Sequence, residues 1–108
     1  MPDEQQILLS DAKIRRFILS CLGYNAGGLN QTEILDRFSC WCRTIFDFAP
    51  DLDLTCRVLC ELRAMRVGGG IVLRRINNKF VHQQTTHGWL AWTRARQEED
   101  AAQAPARL

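Results

Sequence analysis

The chain has 108 residues, 46% of them apolar and 24% charged, which suits a single globular domain with its own core. This composition excludes a wholly disordered chain. No apolar run approaches the ~20 residues needed by a membrane-spanning helix, so a helical membrane protein is excluded as well. The formal net charge is only +2, but the charge is unevenly spread. Residues 54–97 hold eight basic side chains against the single acid Glu61, a net of +7, while Asp47, Asp51, Asp53, Glu98, Glu99 and Asp100 flank that stretch. A concentrated positive field of this kind draws anionic partners.

Residues 1–10 read as an N-terminal arm. Asp3 and Glu4 precede a short apolar patch of Ile7, Leu8 and Leu9. A secretory signal has a basic start and a longer apolar run, so none is expected. The five cysteines, Cys21, Cys40, Cys42, Cys56 and Cys60, are an odd number, unlike a disulfide framework. Both features point to a cytoplasmic protein with reduced thiols.

Residues 11–22 predict a first helix, with Ile14, Phe17, Ile18, Cys21 and Leu22 on one stripe and Ser10 or Asp11 as its cap. Gly23 stops it, and residues 24–28 form a connector rich in turn formers. Asn30 followed by Glu33 has the spacing of a capping box and starts a second helix, whose apolar face continues through Ile34, Leu35, Phe38 and Trp41 or Cys42. Apolar residues persist to Phe48, so this helix is either long or broken, and Pro50 ends it. A third helix is predicted over 54–66, capped by Asp53, with Leu59, Leu62 and Met65 inward, joined by Thr55 or Val58. Gly68, Gly69 and Gly70 break it.

Beyond the glycines the period changes from helical to two. Residues 71–76 and 79–83 predict a hairpin about Asn77 and Asn78, since asparagine tolerates the left-handed backbone of a two-residue turn. In that register Arg75 faces Phe80, as in a cation–π pair. A last helix starts near Thr85 or Thr86 and carries Trp89, Leu90 and Trp92. Residues 98–108 read as a flexible tail.

The expected class is α+β, with a three-helix core, a β-hairpin and a C-terminal helix. In this order the chain resembles the winged helix-turn-helix family over residues 11–97. The segment Gly28, Leu29, Asn30, Gln31, Thr32, Glu33, Ile34, Leu35 is similar to that family's short strand and second helix. Leu59, Cys60, Glu61, Leu62, Arg63, Ala64 and Met65 resemble the end of its recognition helix, and residues 71–82 its wing. Thr85, Thr86, His87 and Gly88 resemble the start of the last helix in MarR- and ArsR-like members, with Thr85 where those have leucine. The basic, glycine-containing last helix and alanine-rich tail are similar to those of small regulators encoded by Mu-like phages. The stretch 39–53 departs from the family in being longer than its tight turn.

The resemblance implies a transcriptional regulator or phage accessory protein that binds double-stranded DNA. Thr55, Arg57 and Arg63 on the third helix would approach the major groove. Arg74, Arg75, Asn77, Asn78 and Lys79 on the wing would hold the backbone or a minor groove, with Lys13, Arg15 and Arg16 adding a backbone contact. Trp89 and Trp92 would form the surface of a homodimer. The alternative is a winged-helix module that binds another protein through the aromatic segment 40–48.

Cys40, Cys42, Cys56 and Cys60, with His82 and His87 downstream, invite a metal site. The first pair is tighter than the Cys-x-x-Cys of structural zinc, so the thiols are expected to pack as small core residues, without metal or other cofactor. No phosphate loop, Gly-x-Ser-x-Gly or His-Glu-x-x-His occurs, so no enzyme is expected.

Overall fold

A computed structural model describes residues 9–103. Four helices and one two-stranded antiparallel hairpin make an α+β fold: α1 (Asp11–Gly23), α2 (Gln31–Trp41), a π-helical turn (Cys42–Phe46), α3 (Leu52–Val67), β1 (Ile71–Ile76), β2 (Lys79–Gln84) and α4 (Thr86–Gln103). The expected arm over 1–10 lies outside the described residues except at its end. There, Leu9 is buried and the Ser10 hydroxyl caps α1 by accepting from the Lys13 amide at 3.2 Å.

Helix α1 buries Ile14, Ile18 and Leu22, one residue per turn, and so faces the core with a single edge. The connector then folds back. Asn25 Nδ2 donates to the Cys21 carbonyl at 2.7 Å, and Gly28 adopts φ +90, a left-handed backbone suited to glycine. Leu29 makes a two-way backbone bridge to His82, so one residue of the connector pairs with the hairpin.

The expected capping box at α2 is present, with Asn30 and Glu33 satisfying each other's backbone amides at 2.8 and 3.0 Å. Ile34, Phe38 and Cys42 turn inward. The question of a long or broken second helix is resolved by the π-helical turn, which ends at Asp47 in the left-handed region with φ 59. Widening the last turn seats Phe46 beside Trp41 and brings Phe48 into the core.

Two details of the third helix differ from expectation. Its cap is Asp51, whose Oδ1 accepts from the Leu54 amide at 2.8 Å, whereas Asp53 lies inside the first turn. The preceding helical segment ends at Asp47, before Pro50 rather than at it; Asp51 follows the proline directly and caps α3, and Asp53 instead favours the amide end of the helix. The buried row is Leu54, Val58, Leu62 and Met65, with Leu59 only half-buried and Thr55 bonded to the Asp51 carbonyl.

The hairpin has the predicted register: Arg75 opposite Phe80, Ile76 opposite Lys79, and Asn77 and Asn78 at φ 50 and 63 in the turn. Only its base is buried, through Ile71 and His82, and exposure increases toward the tip. Thr85 caps α4 by accepting from the Gly88 amide at 3.1 Å. Helix α4 continues to Gln103, beyond the expected boundary at 97. Its sequence there holds no glycine or proline, and alanine, glutamate and glutamine are good helix formers. The rest of the expected tail, 104–108, lies outside the described residues. No helix among the described residues is long and apolar enough to cross a membrane.

Candidate functional site

Alternation along the two strands distributes the hairpin's cations over both of its faces. Ile71, Leu73 and Arg75 share a face with Phe80, His82 and Gln84, the face that meets the core at the base. Val72, Arg74 and Ile76 share the opposite face with Lys79, Val81 and Gln83. Arg74 and Lys79 are diagonal neighbours there, a spacing of roughly 7–8 Å between Cα atoms. Arg75 reaches from the other face to the tip, where its Nη2 donates to Asn78 Oδ1 at 3.3 Å. That bond takes the guanidinium toward the turn rather than onto Phe80. Arg74, Arg75, Asn77, Asn78 and Lys79 are all exposed, and residues 71–84 contain no acid. Arg74 and Lys79 have no ion-pair partner among the described residues. The hairpin is thus a protruding element with three cations and two amides.

The other cations of the basic half have different situations. Arg57 donates to Asp11 Oδ1 at 2.8 Å and to the Leu9 carbonyl at 2.6 Å. One turn further along both helices, Arg15 pairs with Glu61 at 3.1 Å. Asp11 with Arg57 and Arg15 with Glu61 form two cross-helix rungs of opposite polarity, which align α1 parallel to α3. Arg57 therefore ties the start of α1 to α3 and does not join the hairpin's group. Arg66 is turned inward, with Nη1 2.9 Å from His82 Nε2. Arg96 lies over the Trp92 ring at 5.0 Å. Arg63 is exposed on α3 without an ion-pair partner among the described residues. The exposed side chains of α3 around it include Leu52, Cys56, Cys60 and Val67, with the acid Asp53 in the first turn. Thr55 is half-buried and its hydroxyl bonds backward to Asp51.

Arg57 is a stability residue by this geometry. Its replacement by alanine leaves the Leu9 carbonyl without its charged donor, and a hydrogen bond from a charged group contributes about 1.5–3 kcal/mol. Arg57→Ala should lower the unfolding free energy, measured by urea denaturation, by an amount at the lower end of that range, because the Asp11 side is solvated. A duplex-binding constant unchanged by the same substitution would separate this role from direct contact.

The tryptophans divide in the same way. Trp92 is 3% exposed and donates from Nε1 to Ser20 Oγ at 3.0 Å, so it joins α4 to α1 within the chain. Trp89 is 47% exposed and leans on Trp92, with ring centroids 5.1 Å apart. Trp89 and Leu90 are the outward apolar side chains of α4. In the segment 40–48, Trp41 stacks on Phe17 at 4.8 Å and Phe46 meets Trp41 edge-on at 5.1 Å, leaving Ile45 as the outward hydrophobe. Most of that segment's aromatic surface is thus directed into the fold.

Among the described residues, no group of three or more His, Cys, Asp or Glu side chains converges as metal ligands would. Burial pushes the Cys21 thiol up to about 11, against the opposing pull of Arg37, and burial alone pushes Cys42 up to about 11. Both are therefore packing residues with little thiolate at neutral pH. Cys40, Cys56 and Cys60 are exposed, so the expected packing as core residues does not hold for these three, which lie on the outward faces of α2 and α3.

The sequence marked His82 only as a residue of the hairpin downstream of the cysteines, whereas it is 3% exposed at the hairpin's base. Its strand position, opposite Leu73 in an alternating pattern whose inner face begins at Ile71, is the signal that marks it as inward. Comparison with protein-family models, with curated proteins and with solved structures finds no match for this chain.

Proposed function

We propose that the chain binds double-stranded DNA through the hairpin, acting as the wing of a winged helix-turn-helix. The observation that carries this reading is the exposed, acid-free hairpin with Arg74, Arg75 and Lys79 on both sides of its tip. A narrow strand pair with cations on both faces fits a groove bounded by two phosphate rows. The layout agrees: three helices precede the hairpin, and Leu29 pairs with its base as a short third strand would. Arg63 is the α3 side chain best suited to a base or phosphate contact, whereas Arg57 and Thr55 are occupied within the fold. Such a protein serves as a transcriptional regulator or an accessory protein on DNA. Self-association through Trp89 and Leu90 would double the number of wings engaged.

Anisotropy of a labelled random duplex tests the proposal. Affinity should fall between about 50 and about 200 mM salt, with a log–log slope near −0.9 for each phosphate neutralised. The second reading, a protein-binding module, is favoured by the exposed Leu52, Cys56, Cys60 and Val67 on α3. No duplex binding at the lower salt concentration, together with capture of a partner that is lost on Val67→Asp, would establish it instead.

A further inference from the structure

His82 fastens the hairpin to two other elements, the connector and α3. Its backbone N–H donates to the Leu29 carbonyl at 2.7 Å, and its carbonyl accepts from the Leu29 amide at 3.0 Å, binding β2 to the connector. Its ring meets α3 through Arg66, whose Nη1 lies 2.9 Å from Nε2. A guanidinium can only donate, so Nε2 must be the ring's lone-pair nitrogen and the ring proton must sit on Nδ1. That Nδ1 is buried without a hydrogen-bond partner. The ring is therefore held neutral, in one tautomer, by a partner that tolerates no second proton.

We propose that His82 is a proton-operated latch whose protonation releases the base of the hairpin from α3 and the connector while the helical core remains folded. The proton comes from solvent and takes the Nε2 lone pair, which ends the bond from Arg66. An imidazolium then faces a guanidinium at hydrogen-bond distance, in a site shielded from water. Two like charges there repel strongly, and the imidazolium would carry a second unpartnered buried N–H. Movement of β2 away from α3 separates the two charges and strains the main-chain bonds to Leu29 at the same residue.

Among the described residues no acid acts on the ring to compensate. Arg66 is the charged group that α3 directs at the ring. β1 contributes Leu73 directly opposite and Arg75 two positions along the same face. The connector contributes the Leu29 main chain. α1 and α4 approach β2 at Gln84, through the Leu19 carbonyl and Gly88, neither of which titrates. Burial accordingly holds His82 below its ordinary value of 6.5, the Leu29 backbone opposes this, and Arg66 adds to it.

The sign follows from linkage. An opened hairpin exposes a histidine that takes a proton near pH 6.5, whereas the closed one does not until a lower pH. Closure is thus fully favoured above about pH 6.5 and is lost as pH falls toward the lowered value. The consequence for duplex binding rests on the reading proposed above, while the release itself does not. Acid would weaken that binding, the reverse of the effect expected from merely adding positive charge to a phosphate-binding surface.

Hydrogen exchange of the backbone amides of residues 71–84, measured by NMR and corrected for intrinsic rates, tests the latch. Between about pH 7.5 and about pH 5.5 the hairpin opening constant should rise by up to about tenfold, with α1 and α2 amides unchanged. His82→Gln, which keeps an acceptor for Arg66 but does not titrate, should abolish the rise, and His87→Gln on the exposed second histidine should leave it intact. Arg66→Met provides an independent arm should His82→Gln fold poorly. Removing that cation should move the His82 imidazole titration upward and shrink the pH response. A rise shared equally by every element, a rise that survives His82→Gln, or the absence of any rise would overturn the proposal. Each of these outcomes is read without DNA. Wild-type protein that opens as expected yet binds no duplex would retain the latch and remove the DNA reading.

Discussion

Alanine at Gly88 should destabilise the protein by about 3 kcal/mol or more, enough to remove a large part of the stability of a domain this size. A Cβ built on Gly88 overlaps the Gly70 carbonyl oxygen and lies 2.9 Å from the Gly70 carbonyl carbon. The obstacle is backbone, and it is fixed from several directions. The Gly70 oxygen accepts from the Thr85 amide at 3.1 Å and from Thr85 Oγ1 at 3.1 Å, while the Gly70 amide donates to the Met65 carbonyl at 3.0 Å. Thr85 in turn caps α4 through the Gly88 amide. The end of α3, the start of β1 and the first turn of α4 therefore meet where a single methyl group has no room. Urea denaturation of Gly88→Ala measures the loss. Gly27→Ala is the matched control, because its Cβ meets nothing within 4 Å, and it should stay within about 0.5 kcal/mol of the parent. A Gly88→Ala protein within about 1 kcal/mol of wild type would refute the proposed close approach of α4 to Gly70.

Replacing Arg74, Arg75 and Lys79 together by alanine should reduce duplex affinity on the order of 100-fold at about 0.1 M salt, and flatten the log–log salt slope by up to about 2.7. Each lost phosphate contact removes about 0.9 from the slope, so the slope counts contacts while the affinity reports their sum. Stability should hardly change, because all three side chains are exposed and only Arg75 bonds to a neighbour, Asn78 across the turn. The pairing of the two readouts is informative. Arg57→Ala acts on stability and spares binding, and the hairpin variant acts on binding and spares stability. A hairpin variant with unchanged slope would shift the phosphate contacts to α1 or α4 and leave the hairpin without its proposed role.

The two substitutions illustrate which features of this protein are local and which are not. The hairpin was legible in the chain because its determinants are adjacent residues: β-favouring side chains on a period of two, and two asparagines able to take positive φ. The capping box at Asn30 and the Ser10 cap of α1 were legible for the same reason, since a cap involves residues three positions apart. The cationic, acid-free character of 71–84 needed only the order of residues. By contrast, nothing near Arg57 marks it as the partner of Asp11, which lies 46 positions away. Read alone, Arg57 and Arg66 resemble exposed helix cations equal to Arg63, yet one holds the start of α1 and the other meets a buried histidine.

From its own order of residues this chain determined where α1, α2 and α4 begin, where the hairpin turns, and that positive charge would gather on that hairpin. Those outcomes depend on backbone preference and hydrogen bonds a few residues long. The tertiary structure alone decided which cations remained outward, that Trp92 packs inward while Trp89 stays exposed, and that His82 sits without an Nδ1 partner. Each of those depends on what a distant segment brings alongside, and a side chain's surroundings, unlike its backbone preference, are created only when the segments pack.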